Sequence, residues 1–158
     1  MNTWLTGASM QAVIDLFQEA IKTNNLVKGD QILVCLPNSA VYPVINQAAW
    51  EVGIIVHPIS PSTPTAKLHA DYEANGYPAL FTTPELAADW STDEWSVSHL
   101  DLLTSPHLTF LVNKEAAKTE ADTTPVSATD LGLVMNTSGT TGEPKRVGLT
   151  HEMLLNAA

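Results

Sequence analysis

The sequence predicts an α/β fold in which a parallel sheet is flanked by helices. Three short apolar runs, at 31–36, 54–59 and 78–83, have the composition of strands that are buried on both faces. Between them lie two stretches with the spacing and the end residues of helices. Strands that alternate with helices along a chain pair in parallel through right-handed crossovers, so the expected sheet is parallel.

The first two helices are predicted from apolar spacing and from their end residues. Residues 9–23 place apolar side chains three and four positions apart, with Ser9 as the expected N-cap. A second helix is expected over about 40–52. Pro43 fits its first turn, where a missing N–H does no harm, and Gly53 fits its C-terminal end.

A third helix is expected between Thr63, as its cap, and Gly76, as its end, because Pro64 suits the first helical position. After the third strand, residues 84–130 are rich in acidic and hydroxyl side chains and are expected to form an irregular acidic connector. Within it, the short run 108–113 is again apolar.

The length of the chain favours one domain, and its single cysteine favours a reducing compartment. A chain of 158 residues has room for a single sizeable core, so 1–158 is treated as one unit. The net charge of −10 argues against nucleic acid and anionic membranes as partners. No apolar run approaches a membrane helix, and the N-terminus lacks the basic start of a signal peptide. The lone Cys35 excludes an internal disulfide, fits the cytoplasm, and is expected to be an inert core residue.

A loop rich in glycine and hydroxyl groups follows a further apolar strand at 131–136. It reads TSGTTGEPK over 137–145, and then come an extended stretch at 146–150 and a helix capped by Thr150. Glycines let successive N–H groups point at an anion, hydroxyls donate hydrogen bonds, and lysine supplies a positive charge. The alternative is an ordinary surface loop, which has the same composition. The candidate residues are Thr137, Ser138, Gly139, Thr140, Thr141, Gly142 and Lys145.

Two of the seven basic residues, Lys145 and Arg146, are adjacent here, so the sequence concentrates positive charge at this loop. The pattern is not that of a Walker loop, because Gly139 and Gly142 are too close together. No dinucleotide-binding G-x-G-x-x-G follows any strand.

The order TSGTTGEPKRVGLTH over 137–151 resembles the phosphate loop of the adenylate-forming (AMP-dependent) synthetase and ligase family. That loop reads Thr-Ser-Gly-Thr-Thr-Gly-x-Pro-Lys-Gly-Val and often ends in Thr-His. This sequence departs from it at Arg146, where the family usually has glycine. The stretch 28–64 and the run 130–139 also resemble the family. The resemblance therefore covers nearly the whole chain but only the N-terminal part of the family's fold.

The resemblance implies an incomplete N-terminal subdomain of an acid–thiol ligase such as an acyl-CoA synthetase. Members of the family join ATP to a carboxylic acid as an acyl-adenylate, and a thiol, commonly that of coenzyme A, then takes the acyl group. The loop 137–151 would hold the β- and γ-phosphates, and Mg²⁺ would travel with the ATP. No residue here is expected to be catalytic, and the chain alone is expected to be inactive, because the family's later parts have no room after Lys145.

Two alternatives stay open. One is a module that binds ATP or another polyphosphate without chemistry, and the other is a structural fragment that self-associates through an exposed apolar surface. His57 is expected to be structural, and His69, His99 and His107 show no metal-ligand spacing.

Overall fold

The computed structural model describes residues 6–90, 93–100, 108–116, 118–137, 142 and 145–158. In these ranges the helices are α1 (Gly7–Thr23), α2 (Val41–Glu51), α3 (Thr65–Asn75), α4 (Pro84–Ala87) and α5 (His151–Asn156). The strands are β1 (Gln31–Cys35), β2 (Ile55–Ile59), β3 (Ala79–Thr82), β4 (Trp95–Leu100), β5 (Leu108–Asn113), β6 (Leu131–Thr137) and β7 (Lys145–Thr150).

The strands form one sheet in the order β4-β5-β3-β1-β2-β6-β7. The centre is parallel, as predicted, because β1 pairs in parallel with β2 and β3, and β2 with β6. The edges are antiparallel, because β5 pairs with β3, β4 with β5, and β7 with β6. The α/β prediction is confirmed for the centre of the sheet, whereas the sheet as a whole is mixed. β4 and β5 follow each other in the chain and pair antiparallel, as do β6 and β7, so each pair turns back on itself.

The helices cover both faces of the sheet. The crossover from β1 to β2 runs in one direction and that from β2 to β3 returns across β1, so right-handed connections place α2 and α3 on opposite faces. Phe17, Ile45 and Val34 belong to the core under α1 and α2. Leu68 and Leu33 belong to the core under α3. Neighbouring residues of β1 thus fill different cores, which explains why the strand is apolar throughout.

The helix ends differ slightly from the predicted ones. Thr6, not Ser9, caps α1, because its hydroxyl accepts a hydrogen bond from the Ser9 backbone N–H at 3.2 Å. α3 begins one residue later than expected, with Pro64 at its N-cap position. It ends as predicted, at Gly76 in the left-handed conformation with φ of 61°.

Residues 84–130 contain more regular structure than the irregular connector expected from the sequence. They include α4, β4 and β5. Phe110 of β5 stacks on Phe81 with ring centres 4.2 Å apart. Trp95 of β4 is buried against Trp90, with ring centres 4.7 Å apart. The polar residues between these aromatic side chains interrupt the apolar pattern that would predict a strand. Burial of the aromatic side chains in the core stabilises β4 and β5 instead.

The stretch 118–130 has neither helix nor strand and is fixed by Lys28. The Lys28 ammonium lies 3.1 Å from a carboxylate oxygen of Asp130 and 3.3 Å from one of Asp122. Cys35 is a free thiol buried in the core, as expected, and burial raises its pKa. Among the described residues, no helix is long and apolar enough to cross a bilayer.

Candidate functional site

The hydroxyl- and glycine-rich loop leaves the sheet at a topological switch point. β2 and β6 are parallel neighbours, but the chain leaves their carboxyl ends in opposite directions. After β2 it crosses back through α3 towards β3, whereas after β6 it turns outward into β7. In open α/β sheets such a divergence leaves a crevice beyond the strand ends, and ligands bind there. The loop therefore begins where the fold itself provides a binding crevice.

Two clefts flank the carboxyl ends of β2 and β6. The first has a volume of about 340 Å³ and lies against α3; its polar lining residues are Ser60, Thr63, Lys67, Asp71, Asn136 and Arg146. The second has a volume of about 570 Å³ and lies towards the start of α2, with Asn38 and Tyr42 in its wall. Both clefts share Pro58, Ile59, Ser60 and Met135. The two strand ends thus form the partition between the clefts.

The β6–β7 hairpin holds both ends of the loop. Thr137 is paired with Lys145, and its hydroxyl donates to the Lys145 carbonyl oxygen at 3.1 Å. The single hydroxyl hydrogen of Thr137 thus closes the loop, and this bond must be exchanged before Thr137 can donate to a phosphate. Gly142 has φ of 100°, and no atom of the described residues lies within 4 Å of where its Cβ would be. Its conformation rather than crowding therefore favours glycine.

The structure pairs Thr137 with Lys145 at the end of the hairpin, and Gly142 is the one described residue between them. The other predicted phosphate ligands lie outside the described residues; they are Ser138, Gly139, Thr140 and Thr141.

The Arg146 side chain binds α3. Its Nη1 donates to Asn75 Oδ1 at 2.6 Å, and its Nη2 donates to Asp71 Oδ1 at 2.5 Å. Successive side chains of a strand point to opposite faces, so Lys145 projects to the face away from α3. The two adjacent cations, which the sequence suggested as one concentration of charge, therefore serve different faces, and the charge of Arg146 is paired.

A buried polar layer lies beneath Arg146. His57 is fully buried, and its Nδ1 lies 2.8 Å from the Tyr77 hydroxyl and 3.0 Å from Gln31 Nε2. Burial lowers the pKa of His57, and the positive charge of Arg146 lowers it further. Burial also raises the pKa of Tyr77 to about 12. Both groups are therefore uncharged at neutral pH, in keeping with a structural role for His57.

Sequence reasoning did not identify Asp71, Asn75 and Tyr77 as part of this region. They lie about seventy positions before Arg146 in the chain, and nothing in their local pattern points to the loop. The only signal was the departure at position 146, where a long cation replaces a glycine of the resembled pattern.

The remaining histidines within the described ranges have structural contacts. His69 stacks on Trp90 with ring centres 3.9 Å apart, and His99 Nδ1 lies 3.4 Å from the Thr109 hydroxyl. His107 lies outside the described residues. No three His, Cys, Asp or Glu side chains of the described part gather as metal ligands would.

Comparison with known proteins identifies the family. The model of the family described as "AMP-binding enzyme" matches residues 1–158. The chain is 28% identical over 148 residues to "4-coumarate--CoA ligase-like 9" of Oryza sativa subsp. japonica, which covers 89% of this chain and 26% of that protein. It is 32% identical over 128 residues to "Novobiocin biosynthesis protein H" of Streptomyces niveus. That match covers 77% of this chain and 20% of that protein. The chain thus spans about a quarter or less of these relatives.

The fold is shared with solved structures. The N-terminal domain of FACL13 from Mycobacterium tuberculosis superposes with a TM-score of 0.65 at 19% identity, over 94% of this chain and 38% of that one. At this identity the likeness is one of fold alone. The family match covers the whole chain and agrees with both the fold and the loop. The chain therefore belongs to the AMP-binding enzyme family of adenylate-forming ligases, as the resemblance of 137–151 predicted.

Proposed function

We propose that this chain is the part of an acid–thiol ligase that grips the β- and γ-phosphates of ATP while a carboxylic acid is converted to an acyl-adenylate. One observation carries the proposal. The loop 137–145 is held between β6 and β7 at the switch point beside β2, with Gly142 in the left-handed conformation. This is the position and the backbone freedom that a phosphate-binding loop needs.

The contribution of the loop is electrostatic. In adenylation, a carboxylate oxygen attacks the α-phosphorus, and the bond from that phosphorus to the pyrophosphate oxygen breaks. Negative charge therefore accumulates on the leaving pyrophosphate. The Lys145 ammonium and the loop hydroxyls of Ser138, Thr140 and Thr141 would stabilise that charge. Glycines at 139 and 142 would let the backbone N–H groups approach the same oxygens.

Mg²⁺ and the acceptor thiol complete the proposed reaction. Mg²⁺ prefers phosphate oxygens and water, so it would arrive with the nucleotide and neutralise part of the phosphate charge. We propose coenzyme A as the acceptor, since one relative is named a 4-coumarate--CoA ligase-like protein. The chain covers only a quarter of that relative, so the rest of the machinery would lie in sequence that corresponds to the remainder.

Binding of MgATP to the 158-residue chain tests the proposal. Titration calorimetry should show binding by the wild-type chain and about tenfold weaker binding by Lys145→Ala, since a charge-assisted contact to phosphate is lost. Lys22→Ala is the matched control, because it removes one exposed positive charge at the far end of α1. No binding at millimolar MgATP, or equal binding by Lys145→Ala, would overturn the proposal.

Catalysis is a separate measurement. We propose that this chain alone does not catalyse ATP–pyrophosphate exchange. Binding without exchange supports a role limited to holding the nucleotide. Exchange that depends on an added carboxylic acid would show instead that these 158 residues suffice for adenylation.

A further inference from the structure

Arg146 is the only arginine of the chain, and it stands directly after the loop. Its two acceptors, Asp71 and Asn75, are four residues apart on α3 and therefore lie on the same helix face. They also contact each other, because Asn75 Nδ2 lies 3.2 Å from Asp71 Oδ1 and donates to the Asp71 carbonyl oxygen at 2.7 Å. The helix thus presents a prearranged pair of oxygens to one guanidinium.

An aromatic ring lies beside the same guanidinium. The Arg146 guanidinium carbon lies 5.6 Å from the ring centre of Tyr77, within the range of a cation–π contact. Tyr77 is buried, and His57 holds its hydroxyl at 2.8 Å. A planar fork can donate to two acceptors and face a ring at the same time, whereas a lysine ammonium cannot reproduce this arrangement.

These contacts join two parts of the site. β7 is an edge strand of the sheet, and its first four residues are exposed. α3 carries Lys67, Leu68 and Asp71, which line the 340 Å³ cleft. The Arg146 side chain therefore links β7, the strand that follows the loop, to α3, which forms one wall of the 340 Å³ cleft. Lys145, one position earlier, is held at the start of the same strand.

We propose that Arg146 is a positioning residue. Its contacts with Asp71 and Asn75, here called the latch, join β7 to α3. By holding the start of β7, the latch fixes the position of Lys145. The effect on nucleotide rests on the proposed function, whereas the latch itself can be measured without nucleotide. A partly exposed ion pair at an edge strand contributes little to global stability. The latch therefore acts on the local order of the hairpin and not on whether the domain folds.

The first experiment is hydrogen exchange of the full chain without nucleotide. Arg146→Ala and Asp71→Ala should each speed amide exchange in β7 and the preceding loop by about tenfold, because local opening becomes easier. The double variant should show no further increase, since both changes break one contact. Glu73→Ala is the matched control, because Glu73 is an exposed carboxylate on the same helix. Unchanged exchange in Arg146→Ala would overturn the latch.

The second experiment separates positioning from direct phosphate contact. If the latch positions Lys145, then Asp71→Ala weakens MgATP binding about as much as Arg146→Ala does, by roughly three- to tenfold. If Arg146 instead contacts phosphate itself, Asp71→Ala frees its charge and leaves binding unchanged or tighter, which overturns the inference. Arg146→Lys should restore only part of the binding, because it keeps the charge and loses the fork.

The two proposals fail in different ways. If wild-type chain shows the latch by hydrogen exchange but does not bind MgATP, the proposed function is wrong and the latch stands. If it binds MgATP and Arg146→Ala changes neither exchange nor affinity, the latch is wrong and the proposed function stands.

Discussion

Arg146 donates from Nη2 to Asp71 Oδ1 at 2.5 Å, which joins the start of β7 to α3, 75 positions earlier in the chain. Both side chains are about one-third exposed or less. The pair lies directly above the buried His57–Tyr77 contact, so changes at the surface pair should be detectable at the buried imidazole.

The pKa of His57 should respond to this pair in opposite directions. Burial lowers it most, the charge of Arg146 lowers it further, and the charge of Asp71 and a hydrogen bond with Asn136 raise it. Arg146→Ala should therefore raise the pKa of His57, whereas Asp71→Ala should lower it. NMR titration of the imidazole signals measures both. Shifts in the same direction would contradict the geometry of Arg146 and Asp71 around His57.

Stability should fall as the pH drops below about 6.5, the ordinary value of a histidine pKa. His57 has a lowered pKa when folded, so the unfolded chain binds more protons in this window and stability rises with pH. The contribution of His57 to the free energy of unfolding is fully present above about pH 6.5. It is lost as the pH falls towards the lowered pKa of His57 in the folded protein. Urea unfolding at pH 8.0 and 5.5 measures this change. His57→Gln should flatten the dependence, and an equally steep profile in that variant would assign it to other groups.

Gly142→Ala should impair the loop more than the fold. At φ of 100° an alanine costs about 1–2 kcal/mol in backbone strain, although its Cβ would meet no atom of the described residues within 4 Å. We expect weaker MgATP binding with a nearly unchanged melting temperature, because the loop is local. Gly7→Ala is the matched control, since its Cβ also meets no described atom within 4 Å but its φ lies outside the left-handed range. Equal effects of the two variants would refute the conformational argument.

Self-association, which the sequence suggested as a possibility, has a candidate surface at the end of the chain. Apolar side chains are exposed on β6, β7 and α5, namely those of Leu131, Met135, Val147, Met153 and Leu155. Exposed apolar side chains that lie close together favour contacts between copies, and Met135 and Val147 are direct cross-strand neighbours. Sedimentation should show concentration-dependent association that Leu155→Lys reduces. Leu16→Lys, at an exposed position on α1, is the control. A monomer at all concentrations would remove this proposal.

Much of the fold could be predicted from local pattern. The first helix, the three central strands and the left-handed end of α3 at Gly76 follow from apolar spacing and from glycine's conformational freedom. β4 and β5 could not be predicted as well, because their stability comes from contacts such as Phe110 on Phe81 across the sheet. The direction in which an edge strand pairs depends on its neighbour in space, and that neighbour is distant in the chain.

The chemistry of the loop was determined by the sequence itself. Glycines, hydroxyls and Lys145 in that order specify backbone freedom, donors and charge, and these are properties of the residues. Only the tertiary structure decided that Lys145 and Arg146 point to different faces of the sheet. Strand geometry alternates neighbouring side chains, and the crossover from β2 to β3 places the oxygens of α3 on one face only. Two adjacent cations therefore point to different faces of the sheet, and Arg146 is paired with α3, for a reason that no local pattern contains.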